Sequence, residues 1–183
     1  GSWHVREGRK DDGLRAFQDG VSQAPDSAEL RVNAITLGLE LGRLSPQEAI
    51  AAYERLAPLA PRNASVPYSL GQVLLQAGRR DEAQTAFVRS LELAPASVPA
   101  MTALAVIASQ RGDAATSVRL CRQALAINER STPALQQLGV VLLRTGDIPG
   151  AVAALERAVE LDPADKENWS RLGVAYARAR RID

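Results

Sequence analysis

A spacing of 34 residues recurs along this chain of 183 residues and constrains the fold more than any other feature. The step relates Gly78 to Gly112 and Gly146, and it also relates Pro61 to Pro95. Three further columns keep it, namely Ala49, Ala83, Ser117 and Ala151; Tyr53, Phe87, Cys121 and Leu155; and Gly71, Ala105, Gly139 and Gly173. A fixed period of this length is typical of proteins built from stacked structural repeats, in which each unit packs on its neighbours.

Each period divides into two helical patterns separated by two breaks. Within residues 133–145, apolar side chains recur at steps of three and four, as on one face of a helix. Gly146 follows at a C-cap position, where a positive φ is least costly for glycine. A second apolar face covers residues 148–161, and Pro163 ends it because proline disfavours helix in the preceding residue. We therefore expect helix A, a tight turn, helix B and a short turn in each unit.

Small residues recur inside the helices themselves. Gly139 falls in helix A, and Ala151 and Ala158 fall in helix B. A glycine inside a helix costs about 1 kcal/mol relative to alanine, so its recurrence indicates a close approach between two helices. We expect large residues such as Leu142 and Leu155 to fill the neighbouring gaps.

These columns resemble the signature of the tetratricopeptide repeat (TPR) family, which has Trp, Leu, Gly and Tyr on helix A and Ala, Phe, Ala and Pro on helix B. The first half is matched by Trp169, Leu172, Gly173 and Tyr176, and the second by Ala83, Phe87 and Pro95, with Ser90 replacing an Ala. The resemblance covers essentially the whole chain. It implies an all-α fold, a right-handed TPR superhelix (an α-solenoid of helix-turn-helix repeats) with helix A on the concave surface.

The period divides the chain into the parts of one solenoid domain. Gly1 and Ser2 are interpreted as a cloning scar, and the chain as a fragment of a longer repeat protein. The parts are residues 3–27, a partial unit with the end of a helix A plus a helix B; 28–63, 64–97, 98–131 and 132–165, complete units; and 166–183, a lone helix A. Unit 28–63 has two extra residues in a turn where Ser45 and Glu48 form a predicted capping box. Unit 98–131 departs most from the signature, and we expect looser packing there.

Composition excludes several classes of function. With 22 basic and 21 acidic residues the net charge is +1, which together with few aromatic residues argues against nucleic-acid binding. No apolar run reaches the length of about 18 residues that a membrane span needs. The single Cys121 is expected to be a packed, inert thiol, and the lone His4 lacks the partners of a metal or catalytic site.

We therefore expect a protein that is not an enzyme and that has no catalytic residues, cofactor or metal. It is expected to be soluble, in the cytoplasm or the periplasm, and the Ala-, Arg- and Leu-rich composition is compatible with a bacterial source.

The resemblance also implies a partner-binding groove on the helix A surface. Its floor would comprise Val32, Thr36, Leu39, Tyr68, Gln72, Leu75, Thr102, Val106, Ser109, Gln136, Val140, Leu143, Ser170, Val174 and Ala177, and its rim Arg144 and Arg171. The floor contains no charge, and no Lys occupies the slots with which chaperone-binding TPR domains clamp a C-terminal carboxylate. Asn33 and Arg171 do occupy such slots, but at opposite ends of the chain, so a carboxylate clamp is not expected.

This groove predicts a protein or peptide partner, bound as an amphipathic helix or an extended segment, with Gln72 or Gln136 contacting its backbone. Tyr68 is the leading candidate for a ligand contact. Trp169 and Tyr176 are interpreted as core residues, partly exposed where a following helix B is absent, and able to promote self-association. Two alternatives stay open: a structural spacer or assembly scaffold within a secretion or envelope machine, and a regulatory or localising part of a larger enzyme.

Overall fold

The computed structural model describes the backbone of residues 2–180 and the side chains of residues 9–180. In that part of the chain ten α-helices and one short 3-10 helix follow one another without a strand, which confirms the all-α prediction. The helices are α1 Ser2–Gln23, α2 Ala28–Glu40, α3 Pro46–Leu56, the 3-10 helix Ala57–Leu59, α4 Ser65–Gln76, α5 Arg80–Leu93, α6 Val98–Gln110, α7 Ala114–Ile127, α8 Thr132–Thr145, α9 Ile148–Leu161 and α10 Lys166–Ala179. No described helix is both long and apolar enough to cross a bilayer.

The chain forms two compact units, residues 1–95 and residues 96–183. In unit 1, α4 and α5 form a tightly packed hairpin, α3 packs on α4, and α1 packs on α2. In unit 2, α6 pairs with α7 and α8 pairs with α9, while α7 contacts α8 and α9 contacts α10. Each unit is therefore a stack of antiparallel helices, as the repeat pattern predicts.

Glycine and aspartate close the tight turns between helix A and helix B. Gly78, Gly112 and Gly146 have φ angles of 77°, 85° and 87°, so the predicted positive φ at the end of helix A is confirmed. In the last two turns an aspartate follows the glycine. Asp113 Oδ1 accepts the backbone N–H of Thr116, and Asp147 Oδ1 accepts that of Gly150, both at 3.0 Å. Each turn thus ends one helix and caps the next one.

The small residues inside the helices do permit close approach. A Cβ at Gly139 would lie 2.5 Å from Leu155 Cγ, and one at Gly71 would lie 2.8 Å from Phe87 Cε1. Both distances are shorter than any van der Waals contact between carbon atoms, so only glycine fits at these positions. The predicted role of Gly139 is confirmed.

The hairpin of α6 and α7 is packed as completely as its neighbours, against the expectation of looser packing. Ala105, Ser117 and Cys121 are fully buried. The Ser117 hydroxyl donates to the Ala105 carbonyl at 2.8 Å, so the buried polar group is satisfied inside the hairpin. In this unit the glycine column has an alanine, and the Phe and Leu column has the smaller Cys121, which leaves room for the alanine methyl group.

The start of α3 carries the predicted capping box. The Glu48 backbone N–H donates to Ser45 Oγ at 3.3 Å, and the Ser45 backbone N–H donates to Glu48 Oε2 at 2.8 Å, with Pro46 in the first turn. The hydrogen bonds from Ser45 lower the pKa of the Glu48 carboxyl below its usual range, because they favour the charged form.

Residues 3–27 differ from the prediction of two helical pieces, because α1 is one continuous helix from Ser2 to Gln23. The helix passes through Gly8 without a break, since one glycine costs a helix only about 1 kcal/mol and packing against α2 offsets that cost. Lys10 and Asp11 also form ion pairs with Glu40 and Arg43, at 3.5 and 3.3 Å. Gly1, and the side chains of Ser2 and His4, lie outside the described residues.

Candidate partner-binding surface

On α2, some of the predicted groove residues pack against α3 or bind it and are therefore less available to a ligand. Tyr53 is fully buried, and its hydroxyl lies 2.7 Å from Thr36 Oγ1 and donates to the Val32 carbonyl at 3.3 Å. Burial raises the pKa of the Tyr53 phenol, so it remains a neutral donor. Val32 is buried as well, which leaves the half-buried Thr36 and Leu39 as the surface that α2 offers.

On α4, Tyr68 and Gln72 form one polar but uncharged pair. The Tyr68 ring packs on Phe87 of α5 with centroids 5.7 Å apart and planes tilted by 55°, which leaves it half-buried. The exposed Gln72 donates from Nε2 to Tyr68 Oη at 3.1 Å, one helical turn away. Partial burial raises the pKa of Tyr68. With Leu75 on the same helix, this pair gives α4 an aromatic face, an amide and an aliphatic group on a rigid support.

On α6 and α8 of unit 2, three of the six predicted floor residues are buried. Thr102 donates from Oγ1 to the Val98 carbonyl at 2.9 Å, and both Ser109 and Leu143 have less than a tenth of their surface exposed. Val106 and Val140 remain half-buried. The aliphatic surface that this face offers is therefore concentrated at these two valines.

In unit 2, the predicted rim residue Arg144 and also Arg178 bind backbone carbonyls of the preceding helix A. Arg144 Nη1 donates to the Ser109 carbonyl at 2.7 Å and to Ser109 Oγ at 2.9 Å. Arg178 Nη1 makes the equivalent bond to the Leu143 carbonyl at 2.8 Å. These carbonyls lie in the last turns of α6 and α8, and the Ser109 carbonyl also accepts the backbone N–H of Gly112 at 3.1 Å. One nitrogen of each guanidinium, Nη1, is thus used within unit 2.

Gln136 is held by residues that the sequence pattern did not single out. Its Nε2 donates to Asp165 Oδ2 at 2.8 Å and to Asn168 Oδ1 at 2.6 Å. Asn168 is fully buried and in turn donates to the carbonyls of Ala158 and Asp162, at 3.3 and 3.4 Å. Periodicity gives no signal for this network, because its members are up to 32 residues apart.

On α10 the predicted groove residues are accessible. Ser170 and Val174 are exposed, and Arg171 forms an ion pair with Glu167 at 3.2 Å. Trp169 and Tyr176 have 53% and 43% of their surfaces exposed, which agrees with the partial exposure expected of them. The indole N–H of Trp169 donates to the Pro163 carbonyl, and the Tyr176 hydroxyl donates to Glu156.

Chemically reactive groups are few on these surfaces. No three His, Cys, Asp or Glu side chains among the described residues are placed to hold a metal ion. Cys121 is buried, and desolvation raises the pKa of its thiol to about 12, so the nucleophilic thiolate is scarce at neutral pH. The exposed groups of the predicted groove are hydroxyls, amides and aliphatic chains, which suit recognition of another polypeptide.

Comparisons with solved structures agree with the helical repeat. TTC0263, a thermophilic TPR protein of Thermus thermophilus, shares 19% identity with a TM-score of 0.75, over 96% of this chain and 95% of that one. YrrB, described as a TPR protein with an unusual peptide-binding site, shares 21% identity with a TM-score of 0.69, over 91% and 85%. The first TPR of Spaghetti (RPAP3), bound to the HSP90 peptide SRMEEVD, shares 22% identity with a TM-score of 0.61, over 64% and 93%.

Comparison of sequences gives the family. No curated protein sequence matches the chain significantly. Family models described as tetratricopeptide repeat match residues 3–64 and 68–132 in one version and residues 106–175 in another. One of these versions alone covers more than half of the chain, so the chain belongs to the tetratricopeptide repeat family.

Proposed function

We propose that this chain is a non-catalytic protein–protein interaction module that binds a peptide or a segment of a partner protein on its uncharged helix A surface. The observation that carries the proposal is the Tyr68–Gln72 pair, an aromatic ring and an exposed amide held on one rigid helix. Tyrosine supplies a large contact area at low entropic cost, and an amide satisfies the backbone of an incoming chain.

The described contacts favour recognition of apolar side chains over clamping of a carboxylate. Val106 and Val140 are the accessible aliphatic residues of α6 and α8. Arg171, which occupies a clamp slot, is paired with Glu167. The solved Spaghetti domain binds an acidic peptide, SRMEEVD. For this chain we propose a different ligand, an amphipathic helix or an extended segment whose aliphatic side chains contact these valines.

The test compares capture of partners by groove variants and by matched surface variants. The groove variants are Gln72→Ala, Val106→Ala and Val140→Ala. The controls are Val88→Ala on α5 and Ile127→Ala on α7, which truncate aliphatic side chains that are 42% and 49% exposed. Partners captured from an extract by the unmodified chain are identified by mass spectrometry, and affinities are then measured with the purified partner.

We expect each groove variant to weaken binding about tenfold or more and the controls to leave it unchanged, because losses of about one to two kcal/mol are typical of central contacts. Circular dichroism establishes that each variant is folded. If the controls weaken binding as much as the groove variants do, the partner lies on the helix B surface and the proposal is wrong.

A scaffold role is the second candidate, and the exposed apolar face of α10 favours it. Trp169 and Tyr176 lie on one face of α10 and are exposed, and the space around Gly173 between them is open, with no atom of the described residues within 4 Å of a Cβ placed there. Contiguous exposed apolar groups of this kind mark association surfaces. Self-association through α10 would be seen as a mass that grows with concentration in sedimentation, and Trp169→Ser would abolish it.

The third candidate, a regulatory or localising part of a larger enzyme, concerns the protein that carries this chain. The full-length reading frame that contains this sequence distinguishes it from the first two candidates. A catalytic domain in the same frame would favour it, and the groove variants would then alter regulation or location while the chemical step stays unchanged.

A further inference from the structure

Unit 1 contains a cavity of about 510 Å³ among α1, α2, α3 and the 3-10 helix. Its walls are mainly aliphatic, with Val21 from α1, Ile35 from α2, and Leu56 and Leu59 from α3 and the 3-10 helix. The predicted groove floor contributes none of these residues. This volume lies within the range of about 300–1,000 Å³ that is typical of small-molecule sites.

The cavity lies beside a departure from the repeat columns. Ile35 occupies the column that holds Gly71 and Gly139 in the other hairpins. In those hairpins an added Cβ would already lie 2.5–2.8 Å from the facing Phe87 or Leu155. An isoleucine in this column is much larger than the glycine of the other hairpins. Ile35 also lines the cavity, so the residue that replaces glycine forms part of its wall.

Two arginines line this space without a counter-charge. Arg31 and Arg55 both border the cavity, and no acidic residue is among the described residues that line it. Arg31 Nε is shielded from solvent and has no hydrogen-bond partner in the described part of the chain. A buried donor without an acceptor is costly, and a guanidinium is the group that best matches a carboxylate.

We propose that the cavity binds an aliphatic carboxylate, a small molecule with one carboxylate and an unbranched hydrocarbon chain. The chain lies against Val21, Ile35 and Leu56, and the carboxylate accepts hydrogen bonds from the guanidinium groups of Arg31 and Arg55. The two guanidiniums repel a cationic ligand. A neutral ligand would lack the charge-assisted hydrogen bonds that a carboxylate makes with them. This site is independent of the helix A surface and of the proposed function.

The first test uses decanoate as the probe, with decanol and decylamine as ligands of equal chain length and different charge. Binding is measured by calorimetry below the concentration at which decanoate forms micelles, and located by methyl NMR. We expect decanoate to shift the methyl signals of Val21, Ile35 and Leu56 and to leave Ile148 and Leu155 in unit 2 unchanged. It should bind about tenfold or more tightly than decanol.

The second test separates the charge from the cavity. Arg31→Met and Arg55→Met keep the aliphatic stems and should each weaken decanoate about tenfold while decanol binding stays as it was. Ala34→Phe places a ring in the cavity and should abolish binding of both ligands. Arg122→Met on the exposed surface of α7 is the matched control and should change nothing.

Three outcomes would overturn the proposal. Decanoate could fail to shift the three methyl signals in the unmodified chain, or decanol could bind as tightly as decanoate. A peptide that ends in leucine could bind at the same methyl groups more tightly than decanoate does, in which case the occupant is a polypeptide and not a small molecule. A cooperative thermal unfolding transition shows that each variant is folded. If Arg31→Met does not fold, Arg55→Met tests the role of charge in its place.

Discussion

Glycine, which has no side chain, permits the close approach of the two helices in the α4–α5 and α8–α9 hairpins. Gly71 and Gly139 stand directly under Phe87 and Leu155, and a methyl group at either position would overlap the facing side chain. The alanine at the same column in α6 is matched by Cys121, the smallest residue of the facing column. Gly71 and Gly139 thus each face the residue 16 positions later, and a larger residue at the glycine needs a smaller one opposite.

Gly139→Ala should destabilise the protein even though alanine is the better helix former. Overpacking of this kind costs about 1–3 kcal/mol, against a gain of up to about 1 kcal/mol in helix propensity. Gly173→Ala is the matched control, because it is the same substitution in the same repeat column with open space around it. It should stabilise the protein by about 0.5–1 kcal/mol.

Urea denaturation followed by circular dichroism measures both variants. The double variant Gly139→Ala with Leu155→Val should recover part of the loss, because the smaller side chain makes room for the methyl group. Equal effects of the alanine at Gly139 and Gly173 would show that close packing is not what requires glycine in this column.

At the level of single helices, termini are specified by local chemistry. The capping box of α3 satisfies two backbone N–H groups with the side chains of Ser45 and Glu48. Asp113 and Asp147 each accept one backbone N–H at the start of α7 and α9. Such residues act over three positions in the sequence, and for this reason the helix boundaries of unit 2 could be predicted closely. In unit 1, α1 continues through Gly8, and the prediction of a break was wrong there.

The capping box should make the stability of the protein depend on pH in the acid range. The folded state lowers the pKa of Glu48 below its ordinary value of 4.5, so its contribution is present above that pH and is lost as the pH falls through the lowered value. Ser45→Ala should lower the free energy of unfolding by about 1 kcal/mol at neutral pH and flatten this acid limb.

Glu48→Gln separates the two effects, because glutamine keeps the capping geometry but has no titrating proton. It should retain most of the stability and lose the acid dependence that Glu48 contributes. Urea midpoints measured at neutral pH and below pH 4.5 give both quantities. An acid limb that is the same in Glu48→Gln as in the unmodified chain would assign the dependence to other carboxylates, such as Asp113, whose pKa is also lowered.

For the molecule as a whole, function rests on surface chemistry that is nearly neutral. The net charge is +1, and the accessible floor residues of the predicted groove are uncharged in each unit. They include Thr36, Leu39, Tyr68, Gln72 and Leu75 in unit 1, and Val106, Val140, Ser170 and Val174 in unit 2. Arg144 and Arg178 donate to backbone carbonyls of their own unit, which reduces their capacity to bind a ligand. The surface therefore offers area and hydrogen bonds, with little electrostatic attraction.

Partner binding to this surface should be insensitive to ionic strength. Because salt screens only interactions between charges, the dissociation constant for a captured partner should change by less than about threefold between low and high sodium chloride. Calorimetry at two salt concentrations measures it. A steep loss of affinity with salt would assign recognition to the exposed charged residues in place of the uncharged helix A face.

The sequence by itself determines the properties that depend on nearby residues or on repeating columns. These are the repeat period, the helix boundaries, the positive φ of the turn glycines and the need for glycine under Phe87 and Leu155. Caps, turn conformations and apolar periodicity act within one or two helical turns, so a single chain displays them directly. The repetition then supplies the pairing of helices, because each unit meets its neighbour in the same way.

Other properties depend on distances between helices that no local pattern encodes. Val32, Thr102 and Ser109 are buried although their columns predicted a groove floor, and Gln136 is bound to Asn168 from a helix that lies 32 residues further along the chain. The cavity beside Ile35 likewise depends on how side chains from α1, α2, α3 and the 3-10 helix meet around it. Burial, polar pairing and open volume are sums over many side chains from separate helices, and they are settled when those helices pack.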